Sequence, residues 1–95
     1  MPKKKELDEI KEMIGEEVVV DTATPLLYIG RLTKVGDYFL VLEDVDVHDS
    51  NESSSTKECY TMDARKYGVK KNRRRVMVVR SIIASVSLLS DVIEY

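Results

Sequence analysis

Tryptophan is absent from this chain, and phenylalanine, cysteine and histidine occur once each, as Phe39, Cys59 and His48. A single cysteine excludes an intrachain disulfide, and with only one histidine beside it no structural zinc site can be assembled. No apolar run approaches the roughly 20 residues of a membrane-spanning helix. The opening MPKKKELDEI is basic but leads directly into further charges, unlike a secretory signal. These absences predict a chain of the reducing intracellular space, cytoplasmic and without membrane association. Catalytic pairings are missing as well. The run Ser53-Ser54-Ser55 has only His48 as a possible base, Cys59 has no second thiol or histidine to activate it, and no glycine-rich phosphate loop occurs. His48 lies among Asp44, Asp46 and Asp49, but without the glycine-ordered spacing of a calcium loop these read as an acidic strand edge. The expectation is a protein without catalysis, cofactor or metal.

What is present is the material of one small domain spanning residues 1–95. Hydrophobic residues make up 43% of the chain, and with so few aromatics Val, Ile and Leu must supply the core. A domain of this size buries a modest share of its surface, and association with copies of itself would offset that. The net charge of −2 conceals a strong polarity. Residues 37–58 carry seven acids (Asp37, Glu43, Asp44, Asp46, Asp49, Glu52, Glu58) against the single Lys57. Residues 65–75 carry seven cations (Arg65, Lys66, Lys70, Lys71, Arg73, Arg74, Arg75) and no acid. Segregated charge of this kind points to an interaction surface.

Along the chain, Leu7, Ile10 and Ile14 recur at helical spacing with Met13 beside them, so a helix is expected over about 3–14, stopped by Gly15 and laid over an open end of the domain. From Glu16 the pattern becomes that of strands. Val18-Val19-Val20 is the first, Leu26 to Val35 the second with Gly30 at a bend, and Tyr38 to His48 the third after the turn at Gly36-Asp37. Residues 49–57, DSNESSSTK, read as a loop or hairpin tip, Glu58 to Met62 as resumed strand, and Asp63 to about Arg74 as a second excursion. Val76 to Arg80 and Ala84 to Leu89 complete the set. The barrel thus runs over about 16–89, with a long excursion over about 49–74.

Two stretches carry a family resemblance. YIGRLTKVGDYFLVLEDVDV, residues 28–47, resembles the first Sm motif through Gly30, Leu32, Val35, Tyr38 and the apolar run from Phe39 to Leu42. MVVRSIIASVS, residues 77–87, resembles the second Sm motif, with Arg80 and Ser81 in the places of its basic and small residues. The spacing from Arg80 to Val86 is most similar to that of the bacterial Hfq-type members, as in a divergent bacterial or phage-like protein. The resemblance implies a mainly β fold: an N-terminal α-helix followed by a strongly bent five-stranded antiparallel Sm-like barrel. It further implies a ring of about five to seven subunits, in which the fourth strand of one pairs with the fifth of the next, and a partner that is RNA.

The departures from the motifs bear on function. Gly36 stands where the family turn has aspartate, Leu40 where archaeal and eukaryotic members carry the asparagine that reads uracil, and Ser81 where a glycine follows the arginine. Of the base pocket there remain Tyr38 at the stacking position, Asp37 beside it, and Arg80 with Ser81 from the second motif. Tyr38 either stacks on a base or packs at the barrel mouth. Arg80 either contacts a base or phosphate, or pairs with an acid such as Asp37 or Asp44 of a neighbouring subunit. The stretch RKYGVKKNRRR, residues 65–75, either contacts phosphates or is a solvated loop balanced by the acidic segment. Two functions follow: a ring binding RNA or single-stranded nucleic acid, and a homo-oligomeric protein-interaction scaffold that has lost the uridine pocket.

Overall fold

A computed structural model describes residues 9–94 of the chain. Five antiparallel strands, β1 (Glu17–Thr22), β2 (Leu26–Val35), β3 (Phe39–Asp49), β4 (Arg73–Val79) and β5 (Ile83–Leu88), form one sheet in the order β4-β3-β2-β1-β5. One helix, α1 (Lys57–Tyr67), is inserted between β3 and β4. The fold class is the expected one. The second strand spans the expected residues, and the third and fifth are displaced from expectation by one residue.

The sheet bends because its ladder is interrupted. The pairing of β2 with β3 shifts between Ile29 and Arg31 and again between Leu32 and Lys34, and that of β1 with β5 shifts between Asp21 and Thr22. Each irregularity adds local twist and turns the strand. Opposite the first, Asp44 adopts a left-handed φ of 53°. The curled sheet encloses a core of Val18, Val20, Leu32, Leu40, Leu42, Val45 and Val78. β4 and β5 lie at opposite edges of the sheet and do not pair with each other, so among the described residues each leaves one side of its backbone without a strand neighbour.

A second core lies on the outer face. Val19, Leu27 and Ile29 of the sheet pack there against Ala64 of α1 and Leu89, with Tyr60, Val69 and Val92 at its margin. β1 is therefore covered on both faces, which is why Val18, Val19 and Val20 are all apolar where a half-exposed strand would alternate.

The segment expected as resumed strand and excursion is where the structure departs from expectation. Glu58 to Met62 is helical, as the first half of α1. Thr56 caps the helix by accepting from the Cys59 amide at 3.2 Å, Glu58 lies in the first turn, Arg65 and Lys66 lie in the last, and Gly68 ends it with φ 95°. Cap, dipole-matched charges and terminal glycine were all present in the sequence. The apolar stripe was too thin to reveal them, because Ala64 is the one buried residue of the helix. β4 also starts at Arg73, earlier than the expected Val76, so Arg73, Arg74 and Arg75 are strand residues rather than loop.

A buried polar cluster fastens α1 to the outer face of β3. Asp46, 1% exposed, accepts from the Tyr60 hydroxyl at 2.7 Å and from Asn72 Nδ2 at 3.1 Å. The His48 ring stacks on that of Tyr60 with centroids 3.9 Å apart, and its Nε2 lies 3.2 Å from the Ser55 carbonyl oxygen. Burial, and then the Asp46 carboxylate, push the Tyr60 hydroxyl up to about 12. An unfolded tyrosine titrates near 10, so between pH 10 and 12 the unfolded chain releases a proton that the folded chain retains. Stability is full below this window and falls as pH rises through it. Tyr60→Phe should cost about 1–2 kcal/mol at neutral pH, since one Asp46 oxygen loses its buried donor. The gap between parent and variant in urea midpoint should narrow from pH 10 to pH 12. A gap that stays constant across that range contradicts the assignment.

The helix expected over 3–14 falls partly outside the described residues, Leu7 included. Within them, residues 9–11 are helical, Ile10 and Met13 pack against the inner core, and Gly15 follows with φ 94° and donates to the Leu32 carbonyl at 2.8 Å. Ile14 is 44% exposed and does not join that core.

Candidate nucleic-acid interface

The turn between β2 and β3 and the short 3-10 turn Arg80–Ile82 after β4 are held together by two hydrogen bonds. The Arg80 amide donates to the Tyr38 carbonyl at 2.8 Å, and Arg80 Nη1 donates to the Gly36 carbonyl at 3.2 Å. This places residues from the two Sm-like stretches in contact although 44 positions separate Gly36 from Arg80. Arg80 thereby braces the turn, while Asp37, Tyr38 and Ser81 are exposed. The Tyr38 ring is 70% exposed, so it is presented to solvent rather than packed within its own subunit.

Leu40, which the motif resemblance sets at the place of the uracil-reading asparagine, has no solvent exposure and belongs to the inner core. No group at that position reaches the surface. Beside the turn lies a hollow of about 170 Å³ bordered by Lys34, Asp37, Tyr38, Phe39, Arg75 and Met77. The β3–β4 register builds it, setting Val41 opposite Met77 and Glu43 opposite Arg75 on the outer face. Arg75 is thus the member of the basic stretch that the fold brings to Tyr38. The sequence could not show this without the strand register, whereas Lys34 and Phe39 lie in the same hairpin as Tyr38.

The other cations are spread over three elements. Arg65 and Lys66 end α1, Lys70 and Lys71 lie in the connection to β4, and Arg73 and Arg74 begin that strand, all six exposed. Lys71, Arg73 and Arg74 surround a shallow depression with Asn72 and Asp44. Asn72 fixes the connection, because its amide donates to the Val45 carbonyl at 2.8 Å and its side chain meets both Asp46 and Val47. The cations therefore project from a pinned segment rather than from a free loop. Asp44 is engaged within its own subunit by Arg31 at 2.7 Å, and that hydrogen bond holds its carboxyl below the usual aspartate range.

The acidic segment divides by role. Asp46 and His48 are buried structural groups, and Asp49 accepts from the Asn51 amide at 2.9 Å. Among the described residues no group of three His, Cys, Asp or Glu side chains is arranged to hold a metal ion, and no helix is long and apolar enough to cross a membrane.

No family model matches the sequence, and no curated protein matches it. Solved structures do match in shape. The SmAP (LSm) protein from Methanococcus vannielii superposes with a TM-score of 0.61 at 20% identity, covering 93% of this chain and all of that one (100%). The Pyrococcus abyssii Sm protein in complex with a uridine heptamer gives 0.60 at 18% identity, covering 86% of this chain and 94% of that one. A chain in the crystal structure of the NatC complex bound to CoA gives 0.56 at 18% identity, covering 83% of this chain and 82% of that one. With the bent five-stranded sheet, and the turn of the first motif hydrogen-bonded to the arginine of the second, the chain has the Sm-like fold.

Proposed function

We propose that copies of this chain close into a ring of five to seven subunits, edge β4 against edge β5, and that the ring binds RNA or another single-stranded nucleic acid without chemistry. The observation that carries this reading is the braced turn, which offers the Tyr38 ring to solvent beside Asp37, with Lys34 at the same hollow. An exposed aromatic face stacks on any base, and nearby cations meet the backbone phosphates. Repetition around a ring multiplies weak contacts at each subunit. The uridine heptamer held by the Pyrococcus abyssii Sm protein, which has the same fold, supports nucleic acid as the partner class. The exposed cations Arg65, Lys66, Lys70, Lys71 and Arg74 serve as phosphate contacts at some distance from the turn.

The burial of Leu40 favours a second reading, a scaffold that recognises proteins, because base-specific readout at that position is lost. A chain of the same fold occurs in the NatC complex. Light scattering on the purified protein, followed by anisotropy titration with oligo-U, oligo-A and mixed RNA at several salt concentrations, decides between them. A ring that binds all three, more weakly as salt rises, supports the first reading. A ring with no binding at low salt leaves the scaffold, and a monomer at micromolar concentration overturns both.

A further inference from the structure

The outer face of the sheet carries two complementary features at its opposite edges. Beside β5 lies a groove of about 570 Å³, lined by Val19, Ser85 and Ser87 of the sheet, by Glu58 and Met62 of α1, and by residues 91–93. Among the described residues the cation that lines this groove, Lys57, is committed to Asp21 at 2.7 Å and to the Thr22 and Thr24 carbonyls. Glu58 and Asp91 are left exposed and acidic, next to Ile93, which is 72% exposed. At the other edge β4 is basic and apolar on the same face. Val76 and Val78 turn to the inner core, so Arg75, Met77 and Val79 turn outward, with Met77 51% and Val79 42% exposed, and the exposed Arg73 begins the same edge strand.

We propose that α1 and residues 91–93 of each subunit form a socket for the outer face of the neighbouring subunit's β4, so that the inserted helix is part of the ring interface. The inference rests on the ring reading above. When a strand is added to an edge, side chains on one face of it lie beside those on the same face of the strand it joins. On β5 those neighbours are Ser85 and Ser87, opposite Asp21 and Val19 of β1. Serines are too short to fill the space, which leaves room for the long side chains of an added β4. Met77 and Val79 then meet Met62 and Ile93, while Arg73 and Arg75 meet Glu58 and Asp91. Acidic socket and basic strand attract, whereas two sockets or two β4 faces repel, so the contact is head-to-tail, as ring closure requires.

Charge exchange tests this by sedimentation at graded protein concentration. The double variants Glu58→Arg/Asp91→Arg and Arg73→Glu/Arg75→Glu should each raise the concentration at which half the rings dissociate by about tenfold or more at low salt. Combining all four changes should restore the parent value to within about threefold, and about 1 M salt should erase the differences. Ser87→Tyr fills the groove without altering charge and should weaken the ring at any salt, which covers the case of a charge variant that fails to fold. A parent ring whose charge variants and Ser87→Tyr all dissociate like the parent overturns the socket and leaves the ring standing. So does a combined variant no tighter than the doubles. A parent that is monomeric removes the ring and the socket together.

Discussion

Gly30→Val is expected to lower stability by about 3 kcal/mol, seen as a lower urea midpoint at fixed protein concentration. A Cβ at position 30 would lie 3.1 Å from the Glu43 carbonyl oxygen, 3.1 Å from Val45 Cα and 3.1 Å from Val45 Cγ2. Two of these are backbone atoms of β3 on either side of Asp44, whose left-handed φ of 53° marks the bulge opposite Gly30. Relief would require the two strands to separate where the sheet bends most, in a site that is itself buried. Alanine adds the Cβ alone and should cost about 1 kcal/mol, so the series Gly, Ala, Val should fall in order. Protein concentration must be held fixed, because stability gained through assembly varies with it. A valine variant with the parent midpoint would show that β2 and β3 do not approach as closely at this point as the fold requires.

The bend at Gly30 was legible in the sequence because it is local, a glycine within an otherwise continuous strand pattern. The arrangement of the second and third strands was legible for the same reason. What escaped was set by tertiary context. Tyr60 and Ala64 are at helical spacing, but most of the remainder of α1 is polar, because the helix presents one narrow face to a patch already supplied by Val19, Leu27 and Ile29. The consecutive arginines 73–75 read as the end of a basic excursion, contacting phosphates or solvated, yet β4 is an edge strand, and charged residues are the usual protection of an edge. Of the candidate site, the link between Tyr38 and Arg80 follows from the family resemblance. The convergence of Arg75 with Tyr38 follows only from the β3–β4 register. The largest revision concerns the acids between Asp44 and Asp49. They had the composition of a solvated edge, and one of them, Asp46, is among the most buried side chains of the molecule.

Lys70→Gln/Lys71→Gln/Arg74→Gln should weaken RNA binding by about ten- to a hundredfold at low salt, equally for every sequence. These three cations are exposed and stand apart from the outward side chains of β4 assigned to the subunit contact, so assembly should survive, as size exclusion can verify. Loss of three phosphate contacts should also flatten the plot of log affinity against log salt by about 2, at roughly 0.7 per contact for a single strand. Tyr38→Ala should differ in kind. Its ring is 70% exposed and carries no charge, so its removal forfeits about 1–3 kcal/mol of stacking per base while leaving the salt slope unchanged. Arg80→Gln falls between the two. It removes a cation and also releases the Gly36 carbonyl that steadies the turn, so both affinity and slope should decline. The variants act through different forces on separate elements, and their effects should add when Tyr38→Ala is combined with the triple change. Strong non-additivity would place Tyr38 and the cations of the β4 approach on one contact. If Tyr38→Ala leaves affinity unchanged while the triple variant abolishes it, RNA is held by phosphates alone, and the exposed tyrosine belongs to a contact with protein.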